Sequence, residues 1–156
     1  MRSGRKMLGK DLAQHWVGRT AADTGEENRS TVLLEVPDGA EAVAYWRLLT
    51  ENGYEVEWCP GPERVPSRRC PLVTSGQCEL LERADVVVSA LGLNEKSCRR
   101  VVEARDRLYP EKPVVTQASR SDFVRWESLV EGDQPLPTPV DGKALLQSVE
   151  DALPRR

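Results

Sequence analysis

Three of the four cysteines, Cys59, Cys70 and Cys78, share one stretch, "CPGPERVPSRRCPLVTSGQC", with ten and then seven residues between them. Thiols in such a run can bind a soft metal, pair as a disulfide or act as nucleophiles. Structural zinc sites favour close pairs of the Cys-x-x-Cys kind, and none occurs here. The only histidine, His15, lies far upstream. Spacing alone therefore speaks against a zinc or iron–sulfur site and leaves a Cys70–Cys78 link or thiol switch beside it. Arg68 and Arg69 flank Cys70 and could lower its pKa. The simpler reading is that these are small apolar side chains filling gaps under a long loop. Cys98 sits inside a helical pattern and is assigned to the core.

A second place for chemistry is the end of a strand. The segment "DVVVSALGLN", residues 85–94, is a buried run that breaks at Ser89, Ala90, Leu91 and Gly92. In an open α/β sheet, ligands sit in the crevice outside the carboxyl ends of the strands. Glu35, Ser89 and Thr116 could line such a crevice. The sequence offers no Ser–His or Cys–His pair and no glycine-rich phosphate loop to go with them. An enzyme reading therefore ranks last, and no cofactor is expected.

Elements of fixed order must position these residues. "TVLLEV" is a buried strand. "PDGAEAVAYWRLLTENG" is a helix with Asp38 as N-cap, Glu41 three residues later and Gly53 at its end. "YEVEWC" is the second strand. The cysteine loop runs from Pro60 to about Gly76, and "CELLERA" is a short helix leading to the third strand. "NEKSCRRVVEARDRLY" is a helix capped by Asn94, and "KPVVTQA" is the fourth strand. "SRSDFVRWESLVEG" is one helix, with Ser119 and Asp122 spaced as in a capping box. "PLPTPV" is a short last strand, and "DGKALLQSVEDAL" a closing helix capped by Asp141. Apolar, unalternating strands between helices predict a parallel sheet covered on both faces. A flavodoxin-like three-layer sandwich with strand order 2-1-3-4-5 fits residues 31–153. Residues 1–30 read as an N-terminal arm and polar linker. Trp46, Trp58 and Trp126 are expected to be partly buried.

The chain has 156 residues, 30% of them charged, and a net charge of −3. Residues 1–30 carry +2 and the remainder −5. An acidic domain is a poor candidate for nucleic-acid binding, where affinity comes mostly from phosphate neutralisation. No apolar run is long enough to span a membrane. No apolar segment follows the basic first residues as a signal peptide requires. The expected compartment is the cytoplasm.

The order of elements resembles the CheY-like receiver domain of bacterial response regulators. The likeness covers roughly residues 31–153. It rests on "TVLLEVPDGAEAVAYWRLLTENGYEVE" as the opening, "ADVVVSALGL" as the phosphoacceptor strand, "KPVVTQAS" as the fourth strand and "LPTPVDGKALLQSVEDAL" as the final turn and helix. In such domains an aspartate ending strand three takes the phosphoryl group. An acidic pair after strand one holds Mg²⁺, a strand-four hydroxyl donates to the phosphoryl group, and a lysine before a proline pairs with it. The resemblance places Glu35 at one acid of the pair. Val36 stands at the other, unless Asp38 supplies it from a shifted turn. Ala90 stands at the phosphoacceptor, or Ser89 in a slipped register. Thr116 matches the hydroxyl, Thr138 replaces the lysine, and Pro139 is kept. It implies a pseudo-receiver, a two-component signalling module without the acceptor carboxylate or the cation. Such a module binds a protein partner or a second copy through helix four, strand five and the last helix. Trp126 on helix four is a candidate interface anchor. With the chain closing at "LPRR", any output is expected through binding.

Overall fold

The computed structural model describes residues 29–62 and 70–154. The arm expected over residues 1–30 lies outside them, apart from its last two residues. Five strands, β1 (Thr31–Glu35), β2 (Glu55–Cys59), β3 (Val86–Ser89), β4 (Val114–Ala118) and β5 (Gln134–Pro137), alternate with helices. All pairings are parallel and the order is β2-β1-β3-β4-β5, as the sequence predicts. β1, β3 and β4 are short runs rich in branched apolar residues, as strands covered on both faces require.

One face is covered by α1 (Gly39–Glu51) and α7 (Gly142–Ala152). Val32, Leu34 and Val36 of the β1 segment meet Trp46, Leu49, Leu145 and Val149 there. The other face carries α2 (Pro71–Thr74), α3 (Glu79–Arg83) and α4 (Lys96–Leu108), and it also receives Phe123, Leu129 and Val130. Leu33 and Val87 point to this side. β5 is an edge strand and holds Pro135 and Pro137.

Helix ends follow local chemistry in three places. Asp38, Ser119 and Asp141 each accept a backbone N–H three residues on. Other local expectations fail. The cap of α4 is Glu95, not Asn94. The Asn94 amide instead donates to Asp122 (3.3 Å) and accepts from the Trp126 indole (3.1 Å). The single helix expected from Ser119 onward divides at Trp126 into α5 (Arg120–Arg125) and α6 (Glu127–Val130). At φ −111° and ψ 32°, Trp126 leaves the helical region while its indole is held by Asn94. Pro71–Thr74 also forms a helical turn inside the expected cysteine loop, with proline at its start. Trp46 is fully rather than partly buried, and Trp58 is half-buried with its indole donating to the Val36 carbonyl (2.8 Å).

Candidate functional site

Register brings four side chains into one row. Cys59 pairs with Glu35, Glu35 with Ser89, and Ser89 with Thr116 across β2, β1, β3 and β4. Paired residues of parallel strands point to the same face, and successive residues point to opposite faces. The row therefore lies with Leu33 and Val87, beneath α4. Val36 and Ala90 point to the opposite face, against the core under α1 and α7. A single pocket holding Glu35, Ser89, Ala90 and Thr116 does not form, because one residue of strand register separates Ala90 from the others.

Glu35 is 4% exposed and meets Arg105 of α4 at 2.6 Å; Arg105 is 1% exposed. Sequence reasoning missed Arg105. It lies seven residues after Cys98, with Val101 and Val102 between them on the buried stripe of α4, so the pattern contained it as a charge at a core position. The guanidinium is incompletely matched: its Nε and Nη2 are buried without partners. At the far end of the row the Thr116 hydroxyl donates to Asp133 (2.7 Å). Burial pushes the Asp133 carboxyl up to about 6, against the Thr116 hydroxyl and the Arg105 charge, which favour ionisation.

This shift has a pH signature. At low pH Asp133 is protonated in the folded and the unfolded chain alike. Between the ordinary 3.8 and about 6, the unfolded chain releases the proton and the fold retains it. Stability should fall as pH rises through that window. Asp133→Asn is expected to flatten this part of the profile, measured as urea midpoints across the window. An equally steep fall in the variant would assign the slope to another group.

On the opposite face, at the strand ends, Ala90 is half-buried and presents a methyl group where the resemblance puts an aspartate. Beside it the Gln117 amide donates to Glu41 (2.9 Å), and the Tyr45 hydroxyl lies 2.7 Å from Gln117 Oε1 and 3.1 Å from Glu41. Burial, then Glu41, pushes the Tyr45 phenol well above its ordinary value. Asp38 is exposed and occupied as the α1 cap. Thr138 and Pro139 are exposed and joined by a cis peptide bond. The crevice thus holds a hydrogen-bonded Glu41–Tyr45–Gln117 group.

The cysteines converge. Cys59, Cys70 and Cys78 are free, half-buried thiols on the wall of one cavity of about 600 Å³, between the sheet and the α2–α3 turn; Glu35 also lines it. Burial, then Glu35, pushes the Cys59 thiol up to about 12. Burial likewise raises Cys78, partly offset by the N–H groups of Leu81 and Leu80. The activation of Cys70 expected from Arg68 and Arg69 lies outside the described residues. Among the described residues, no three His, Cys, Asp or Glu side chains are placed to hold a single metal ion. Cys98 is buried in α4, as expected.

Trp126 is half-buried and caged. Arg99 and Arg125 stand 4.4 and 5.2 Å from its ring centroid. Val124, 77% exposed, is the bare apolar side chain of this surface.

Among the described residues, no helix is long and apolar enough to cross a membrane. No protein-family model matches the sequence, and no curated protein matches it. Solved structures do. Chemotaxis response regulator CheY4 of Vibrio cholerae superposes with a TM-score of 0.60 at 17% identity, covering 81% of this chain and 100% of that one. The N-terminal receiver domain of a Bacteroides fragilis response regulator gives 0.61 at 17%, covering 83% and 100%. The HemR receiver domain of Leptospira biflexa gives 0.59 at 19%, covering 82% and 98%. Strand order, helix placement and these superpositions agree: the chain has the CheY-like fold of response-regulator receiver domains.

Proposed function

We propose that this chain is a non-enzymatic cytoplasmic signalling module, a pseudo-receiver that acts by binding a protein partner or a second copy of itself. The observation that carries this reading is the crevice itself. Ala90 offers no carboxylate to phosphorylate, and Glu35 is turned to the other face and paired with Arg105. Thr138 supplies no cation to a phosphoryl group. Aspartyl phosphorylation needs an acceptor carboxylate and a metal held by neighbouring acids, and neither is assembled here.

Association then falls to the surface formed by α5, α6, β5 and α7. Val124 supplies exposed apolar area there, and Trp126 lies half-buried at its border, against Arg99 of α4 and Arg125. Tryptophan, tyrosine and arginine are the side chains enriched at binding hot spots.

One experiment tests both halves. The protein is incubated with acetyl phosphate and Mg²⁺, its mass is measured, and the treated and untreated forms are used to capture partners from the native host. Unchanged mass and unchanged capture are expected, with capture reduced by Trp126→Ala. A phosphoryl group mapped to residues 85–94 would overturn the pseudo-receiver reading. Capture indifferent to Trp126→Ala and to Val124→Asp would remove this face from it.

A further inference from the structure

The cavity between the sheet and the α2–α3 turn takes no part in the proposed partner face. Its volume of about 600 Å³ lies within the range of roughly 300–1,000 Å³ usual for small-molecule sites. Leu33 of β1, Leu81 of α3, Leu91, and Val101 of α4 give it a largely apolar wall. All of them lie among the described residues. Sites for small ligands combine such a wall with a few placed polar groups that fix orientation.

Here the placed group is Glu35. Its side chain is almost fully buried and lines the cavity from the end of β1. Arg105 occupies its Oε1 at 2.6 Å and is not among the described residues lining the cavity. The other oxygen, Oε2, makes no hydrogen bond among the described residues. Nor is it sealed by packing, as the Arg105 Nε and Nη2 are. Buried polar groups are normally hydrogen-bonded, and no described side chain serves this one. The cavity is where Oε2 can meet a donor.

Charge narrows the class of ligand. Arg105 already balances Glu35, so a cation entering the cavity would give up its water for a carboxylate that is paired. An anion would face Glu35 within and the exposed Glu79 and Glu82 on the wall. A neutral molecule with one donor meets neither cost. Its apolar body leaves water for the leucine wall, and its N–H or O–H makes a charge-assisted hydrogen bond with Oε2. We propose that this cavity binds a neutral, largely apolar small molecule that donates one N–H or O–H hydrogen bond to Glu35.

The test titrates indole, a neutral molecule with one N–H, into the isotope-labelled full chain and follows backbone amide resonances. Saturable shifts are expected at Leu33, Cys59, Leu81 and Leu91, and none at Val124 or Trp126. Indene has nearly the same shape and lacks the donor. It should bind at least about tenfold more weakly, because it leaves a charged acceptor unpaired. Tryptamine, a cation, and indoleacetate, an anion, should both bind more weakly than indole. Leu80→Trp fills the cavity from a half-buried position on its wall and should abolish binding, with the amide spectrum reporting that the fold is kept. If that variant does not fold, the comparison of indole with indene on the wild-type chain decides. The absence of saturable shifts with indole overturns the proposal. So do equal affinities for indole and indene, tighter binding of tryptamine or indoleacetate, and shifts confined to α5 and α6. Binding that survives in folded Leu80→Trp would also overturn it.

Discussion

Glu35→Leu is expected to destabilise the protein by about 3–5 kcal/mol near neutral pH, because it leaves the Arg105 guanidinium buried with no counter-charge. The Glu35–Arg105 contact is the only buried ion pair found among the described residues, and Arg105 cannot escape by losing a proton. The reciprocal change, Arg105→Met, should also cost stability, because it leaves the Glu35 carboxylate buried without its counter-charge. The double variant Glu35→Leu/Arg105→Met should recover most of the loss. Two guanidinium nitrogens are unpaired even in the native fold, so exchanging the pair for apolar side chains removes a penalty along with an attraction. Urea unfolding of the four proteins in a double-mutant cycle measures this. Additive costs, with no recovery in the double variant, would show that the two residues act independently of each other.

Trp46→Ala should be comparably damaging, about 3–5 kcal/mol, because a large side chain leaves the centre of the core between the sheet and α1. Trp46 is 1% exposed and packs among Val32, Leu49 and Leu145 in that core. Its indole nitrogen has no partner. Trp46→Phe keeps most of the apolar volume and discards a desolvated donor, so its cost should stay under about 2 kcal/mol. Thermal and urea unfolding of both variants check the ordering. Equal losses for phenylalanine and alanine would mean that the indole N–H makes a bond essential to the fold.

The strands, their parallel order and three of the helix caps were legible because they depend on near neighbours in sequence. "TVLLEV" and "DVVVS" can be buried on both sides only within a covered sheet, and Asp38, Ser119 and Asp141 cap by reaching three residues along the chain. What was not legible depends on residues brought from far apart. Glu35 read as an acid for a metal pocket. Which face it joins is decided by its pairing with Ser89 and by an arginine seventy residues away in sequence. Asn94 read as a cap by residue type, but Asp122 and Trp126 compete for its amide. Arg105 was passed over because periodicity places it on the buried stripe of α4 without showing the distant carboxylate that pairs with it. The cysteine spacing gave no sign that Cys59, Cys70 and Cys78 line one cavity, because linear separation says little about separation in space.

The edge of the sheet limits how copies of this chain can aggregate or assemble. Thr138 donates its N–H to Ala118, so alternate residues of β5 face β4 and Pro135 and Pro137 take the outward places. Those two positions have no N–H to offer. A foreign strand approaching this side would meet an interrupted row of donors, and continuous ladders between molecules could not grow from it. Filament formation through β5 is thereby disfavoured, and any specific complex on this side must be built from side chains.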